Sequence, residues 1–232
     1  MARRGKRWEE GHRLVNYDSL YSIEDACSLL KKFPKAKFDE SVDIAVKLGV
    51  DPRKAEENVR GTVVLPHGTG KTLRVVAFCK GEKAKEALDA GADAVGADDL
   101  VKKIQDGWLE FDSAVATPDA MGLVGRIGKI LGPRGLMPNP KVGTVTFDIG
   151  KAVAAIKGGQ VEYRTEKAGV VQVGVGRSSF EAAQLVENIT SLIDAVNKSK
   201  PKTSKGTYIL SAHLSTTMSP GVPLDPAPLR KY

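Results

Sequence analysis

The stretch His67-Gly68-Thr69-Gly70-Lys71-Thr72-Leu73-Arg74-Val75-Val76-Ala77-Phe78-Cys79 separates two textures of chain. Glycines and short polar residues support no regular element over 67–71, so this part reads as a flexible passage. Leu73 to Cys79 then reads as a near-continuous apolar strand, the pattern of a strand covered on both faces. Upstream the texture differs. Val42, Ile44, Val46 and Leu48 alternate with polar neighbours, as in a half-buried strand. Ser22-Ile23-Glu24-Asp25 offers a cap and an acidic first turn to a helix carrying Ile23, Ala26, Cys27, Leu29 and Leu30. A short polar turn of helix opens at Asp51-Pro52, and Gly61 to Leu65 is a second strand that stops at Pro66.

Beyond the passage, strands and helices alternate. A helix over Glu82 to Ala90, a short strand at Ala94-Val95, a helix near Asp98 to Gln105 and a strand over Phe111 to Thr117 follow in turn. Thr144 to Phe147 and a helix over Lys151 to Lys157 close this block at Gly158-Gly159. Such alternation predicts a small Rossmann-like parallel α/β sheet. From Gln160 the period-two pattern returns at Val161 and Tyr163, then at Val171, Val173 and Val175. Ser178 and Glu181 read as a capping box for a long helix to about Asn197, with Phe180, Leu185, Ile189, Leu192, Ile193 and Val196 on one face. Tyr208 to Leu214 is a last strand ahead of a proline-rich tail. The expected fold class is α/β (α+β) in two domains. A discontinuous α+β domain with a mostly antiparallel sheet takes residues 1–67 and 160–232, and the Rossmann-like domain is inserted over 68–159.

Composition bounds the function. An apolar fraction of 41% supports a packed core. A net charge of +7 favours a polyanionic partner, nucleic acid or an acidic membrane surface, over a basic protein with no such partner. The block 68–159 holds 13 basic and 11 acidic residues, and the remainder 22 and 17, so most of the excess belongs to the terminal domain. With aromatics at only 6%, stacking on many bases is not expected to dominate. Cys27 and Cys79 fall in apolar runs and read as small buried hydrophobes in a reducing compartment. His12, His67 and His213 are far apart and no paired-cysteine spacing occurs, so no metal site and no cofactor is expected. The N-terminus, with Arg3-Arg4-Gly5-Lys6-Arg7, is basic without an apolar stretch behind it, and no membrane span is visible. A cytoplasmic protein without membrane contact is expected.

Two glycine strings invite nucleotide readings. Gly68-Thr69-Gly70-Lys71-Thr72 lacks the earlier glycine of a phosphate loop, where Leu65 stands, and leads into a strand; a hinge at Gly68 and Gly70, paired with Gly158 and Gly159, is the preferred reading. Gly174-Val175-Gly176 lacks the last glycine of a dinucleotide fingerprint and reads as a strand end. No nucleophile elbow appears, and the histidines have no acidic neighbours. The expectation is a protein that is not an enzyme, with a nucleotide-dependent α/β enzyme as the alternative. Lys198, Lys200, Lys202 and Lys205 form a basic run with no acid between Asp194 and Asp225, suited either to solvent or to phosphate. Small hydroxyls at Ser211, Ser215, Thr216, Thr217 and Ser219 beside Met218 suit a surface that reads ribose hydroxyls and backbone shape, or an ordinary polar strand end.

One further stretch carries a resemblance. Gly132-Pro133-Arg134-Gly135-Leu136-Met137-Pro138-Asn139-Pro140-Lys141, followed by Val142-Gly143-Thr144-Val145-Thr146, is too rich in proline and glycine for a helix or strand, yet it carries Leu136 and Met137. It reads as a rigid, shaped loop. With its lead-in Gly125-Arg126-Ile127-Gly128-Lys129-Ile130-Leu131, it resembles the signature of the bacterial large-subunit ribosomal protein one family. The likeness runs from Gly5-Lys6-Arg7 to about Val222. It implies a structural constituent of the large ribosomal subunit that binds the stalk region of large-subunit rRNA and helps deacylated tRNA leave the exit site. It also implies repression of the protein's own operon mRNA; an RNA-binding repressor acting off the ribosome only is a further alternative. The implied partners are rRNA, exit-site tRNA, operon mRNA and the ribosome, with the chain a monomer off it. Residue by residue, the resemblance implies RNA contacts at Lys37, Phe38, Glu40, Ser41, Lys167, Lys205, Ser211, Thr217, Met218 and Ser219. Arg134 and Lys141 would add a second contact. The family usually has glycine where this chain has Ser219.

Overall fold

The computed structural model describes residues 5–204 and 206–230, without the side chains of Ala55 and Lys141. In chain order its elements are α1 (Lys6–Leu14), α2 (Ile23–Lys32), β1 (Ser41–Leu48), β2 (Arg60–Val64), β3 (Val75–Phe78) and α3 (Glu82–Asp89). Then come β4 (Ala94–Gly96), α4 (Asp98–Gln105), β5 (Ser113–Ala116), α5 (Met121–Arg126), α6 (Gly128–Leu131) and α7 (Ile149–Lys157). The chain finishes with β6 (Gln160–Arg164), β7 (Val170–Arg177), α8 (Ala182–Lys198), β8 (Ile209–Thr216) and β9 (Val222–Leu224). It forms two units, one from residues up to Gly70 and from Val161 onward, the other Lys71–Gln160.

In the first unit, β1 is a central strand of a four-stranded antiparallel sheet of order β7-β1-β8-β9. Its alternation puts Val42, Ile44, Val46 and Leu48 into a core with Val171, Val173 and Val175 of β7 and with Ala212 and Leu214 of β8. Leu185, Ile189 and Leu192 of α8 and Ala26, Cys27 and Leu30 of α2 close that core from one side. Each buried Val, Leu or Ile side chain among them contributes roughly 1.5–3 kcal/mol by leaving water. The alternate residues stay accessible among the described residues: Asp43, Gln172 and His213 are exposed, and Ala45, Lys47, Ser211 and Ser215 are half-buried. One face of the sheet is therefore open. A separate two-stranded sheet pairs β2 with β6.

The second unit holds a parallel three-stranded sheet of order β4-β3-β5. All four residues of β3 are buried, as its unbroken apolar run demands. Phe78, Ile104, Ile127 and Leu131 pack one side, and Val75, Val115, Ile149 and Val153 the other. Details differ from the pattern reading at the start of α8 and in the tail. Glu181, not Ser178, is the N-cap of α8, and its N–H donates to Gln184 Oε1 at 3.0 Å. The hydroxyl of Ser178 is engaged elsewhere, by Asp39. The proline-rich tail is also structured: β9 pairs with β8, and Leu229 is buried in the core.

Candidate nucleic-acid interface

The segment before β1 and the segment after β8 meet because the two strands are antiparallel neighbours in a register that sets Val42 opposite Thr216. Ser41 N donates to Thr217 Oγ1 at 3.1 Å, and Thr217 N donates to Ser41 O at 3.1 Å. Between them lies Glu40, only 5% exposed. Its Oε1 accepts from Ala36 N at 3.0 Å, and its Oε2 from Thr216 Oγ1 at 2.6 Å and from Met218 N at 3.1 Å. A carboxylate can stay buried here because three protein donors replace its water. Both oxygens are engaged inside the protein, so Glu40 positions the segments on either side of it.

Asp39 fixes the same segment from outside. Its carboxylate accepts from Ser178 Oγ at 2.8 Å, Ser179 N at 3.0 Å and Ser179 Oγ at 2.9 Å, and Arg177 Nη1 donates to its main-chain oxygen at 3.0 Å. Desolvation works against its charge, but the bonds from Ser178 and Ser179 and the charge of Arg177 outweigh it and hold the carboxyl below its ordinary range. Lys31 donates to the carbonyls of Ser178 and Phe180, tying α2 to that turn.

What this framework presents is apolar and exposed. Phe38 is 54% and Met218 49% accessible, with Lys37 and Thr217 exposed beside them. Ser219 fits without strain, since no residue other than glycine has a positive φ among the described residues. Its hydroxyl accepts from Thr216 N at 2.8 Å and donates to Pro220 O at 3.1 Å, closing the turn that carries Thr217 and Met218.

The open face of the sheet continues from there. Along β1, Asp43 stands opposite Ser215 and Gly174, Ala45 opposite His213 and Gln172, and Lys47 opposite Ser211 and Val170. Lys47 Nζ reaches the carbonyl of Ala168, beside the exposed Lys167. The structure thus puts Lys37, Phe38, Ser41, Thr217, Met218 and Ser219 at one end of this face, and Lys167 and Ser211 at the other, roughly 20 Å away along the strand. Lys205 lies outside the described residues. Asp43, Lys47, Gln172 and His213 share the face but were not singled out from sequence; their period-two spacing against buried neighbours is the signal that finds them.

Arg134 and Lys141 belong to the other unit. Arg134 is exposed on a loop pinned by Leu136 and Pro138 and by Asn139 N donating to Thr144 Oγ1 at 2.7 Å; the side chain of Lys141 is outside the described set. Of the expected hinge residues, Gly68, Gly70 and Gly159 have positive φ and Gly158 does not. Gly70 also sits where a Cβ would come within 2.9 Å of both Arg177 and Phe180, so no larger residue fits. Asn188, fully buried, accepts from His67 N and donates to Gly68 O and Val175 O. Neither glycine string forms a nucleotide cradle: the first leads into β3, and Gly174 and Gly176 lie within β7, antiparallel to β1. Among the described residues no group of histidine, cysteine and acidic side chains could hold a metal, and no helix is long and apolar enough to cross a membrane.

Residues 30–220 match the model of the Ribosomal protein L1p/L10e family. The chain belongs to that family. It is a structural constituent of the large ribosomal subunit that binds rRNA, and the family is non-enzymatic. Its two-unit α+β architecture, one sheet antiparallel and one parallel, is that of the family. The matched region takes in both segments joined by Glu40 and the open face between β7 and β8.

Proposed function

We propose that the first unit binds the stalk region of large-subunit rRNA on the open sheet face and the Phe38–Met218 end of it. The observation that carries this reading is the pair of exposed apolar side chains on backbone held rigid by one buried carboxylate. Exposed apolar groups on a fixed backbone supply contact area without a backbone ordering cost on binding. Phe38 packs on a ribose or base, Thr217 and the serines read 2′-hydroxyls, and Lys37, Lys47 and Lys167 contact phosphates. That combination suits structured RNA, whose shallow groove is read by shape and by ribose. Arg134 and Lys141 add a second contact from the inserted unit.

On the ribosome, in the cytoplasm, the protein assists release of deacylated tRNA from the exit site, with the glycine passages at 68–70 and 158–159 letting the units reorient. It also represses its own operon by binding an mRNA segment on the same face. Competition tests the shared face: operon mRNA displaces the rRNA fragment from the protein, whereas simultaneous binding of both contradicts the reading. For the ribosomal step, deacylated tRNA dissociates faster from ribosomes supplied with the chain than from ribosomes lacking it. Equal rates would remove that role.

A further inference from the structure

A second cationic feature of the first unit lies at the end of α8, beside the start of β8. Lys200 follows that helix in a run free of acidic residues from 195 to 224. There Asn197, Lys200, Thr207, Tyr208 and Arg230 line a cavity of about 270 Å³ that has no carboxylate in its described lining. Arg230 lies beyond the residues matched by the family. Its segment is nonetheless fixed, because Leu229 is buried and its carbonyl accepts from Asn197 Nδ2 at 2.8 Å. Arg230 Nε donates to Ile209 O at 3.0 Å.

That bond uses Nε alone. The terminal guanidinium nitrogens form no ion pair among the described residues, and neither does Lys200, whose Nζ lies 5.9 Å from the Tyr208 ring centroid. Two cations, an amide and a hydroxyl around a cavity without an acid form a setting for an anion. The planar fork of an anchored arginine matches phosphate in particular.

We propose that this pocket binds a single phosphate of the RNA backbone, held by Arg230 and Lys200. The proposal rests on the reading that the first unit is the RNA-binding one, and it extends the contact past the open face. β8 runs from Ile209 at the pocket to Ser211 on that face, a span of roughly 7 Å.

The test uses the full chain with Arg230→Gln, Arg230→Lys and Lys200→Gln. Each is titrated with a stalk rRNA fragment and an unrelated duplex across a salt series, and separately with inorganic phosphate. Arg230→Gln and Lys200→Gln each weaken fragment binding on the order of tenfold at low salt. Each lowers the slope of log affinity against log salt by about one and leaves the preference for the fragment intact. Arg230→Lys restores the slope but not the full affinity. Lys200→Gln touches no backbone bond of the tail, so its result stands even if Arg230→Gln loosens that segment. Unchanged slopes in both glutamine variants overturn the proposal. Inorganic phosphate bound in the pocket with unchanged RNA slopes overturns it too, by assigning a site for the free ion. Loss of fragment preference in the unaltered chain would instead defeat the open-face reading.

Discussion

Glu40 Oε2 accepts from both the hydroxyl of Thr216 and the N–H of Met218, 176 and 178 residues along the chain, while Oε1 holds Ala36 N. One buried carboxylate therefore sets the spacing between the two segments that carry Phe38 and Met218. In Glu40→Gln the amide group faces donors with a donor, which leaves at least one buried group unpaired. The expected cost is about 1–3 kcal/mol of stability in the first unit, with a larger proportional loss of rRNA affinity than any lysine substitution on the open face. Urea unfolding and RNA titration of the same variant check this. Full affinity in a destabilised Glu40→Gln protein would show that the two segments need no such bridge.

Asp39 makes the same framework sensitive to acid. Its carboxyl is held below the ordinary range in the folded protein, so its contribution to stability is complete above the unfolded value of about 3.9 and is lost as pH falls through the lowered folded value. Asp39→Asn should therefore be less stable than the unaltered chain at neutral pH and converge with it in strong acid. Thermal melting from pH 7 down to pH 2 measures the difference, and a constant gap across that range would contradict the assignment.

The hydroxyl of Ser219 accepts the N–H of Thr216 at 2.8 Å. Ser219→Ala removes the acceptor without freeing the backbone, at an expected cost of about 1–2 kcal/mol. It should also raise hydrogen exchange at the amide of Thr216. Ser219→Gly should cost at least as much, because the added backbone freedom must also be lost on folding. Equal stability of all three proteins would mean that the turn is held by its backbone alone.

The thiols give an independent check on both cores. Burial pushes Cys27 up to about 12, only partly offset by Lys31, and burial likewise raises Cys79 against the charge of Lys83. Neither should react with a disulfide reagent at pH 8 in the native protein, and both should react on denaturation. Prompt reaction of one thiol would show that its core opens readily.

Much of the fold was legible from local pattern because its periods are clean. The alternation in β1 and the unbroken apolar run of β3 each state how many faces are buried, and that separates an antiparallel sheet from a parallel one. Elements whose local propensity opposes them were not legible. α5 and α6 carry Gly122, Gly125 and Gly128, and burial of Val124, Ile127 and Leu131 overrides that cost. α1 has Gly11 in its middle, where a Cβ would come within 3.1 Å of Pro220. β9 contains Pro223, which an edge strand tolerates. Local pattern misplaces the cap of α8 because Ser178 and Glu181 satisfy the box spacing, and only tertiary structure shows Asp39 taking that serine.

The site divides in the same way. Residue type and resemblance point to Phe38, Thr217 and Met218 as an exposed set, and all three are exposed. The inward role of Glu40 depends on partners 176 residues away, which no local window contains. The row formed by Asp43, Ala45 and Lys47 with Ser215, His213 and Ser211 exists only once the register is known.

The most direct measurement compares affinity for a stalk rRNA fragment and for an unrelated duplex across a salt series, using the unaltered chain, Thr217→Ala and Met218→Ala. The account predicts a preference of orders of magnitude for the fragment, lost in both variants while the salt slope stays nearly the same, because those side chains recognise shape and carry no charge. Equal binding of both RNAs on one steep salt slope, unaffected by either substitution, would mean that only the net charge binds RNA and that the face is misassigned.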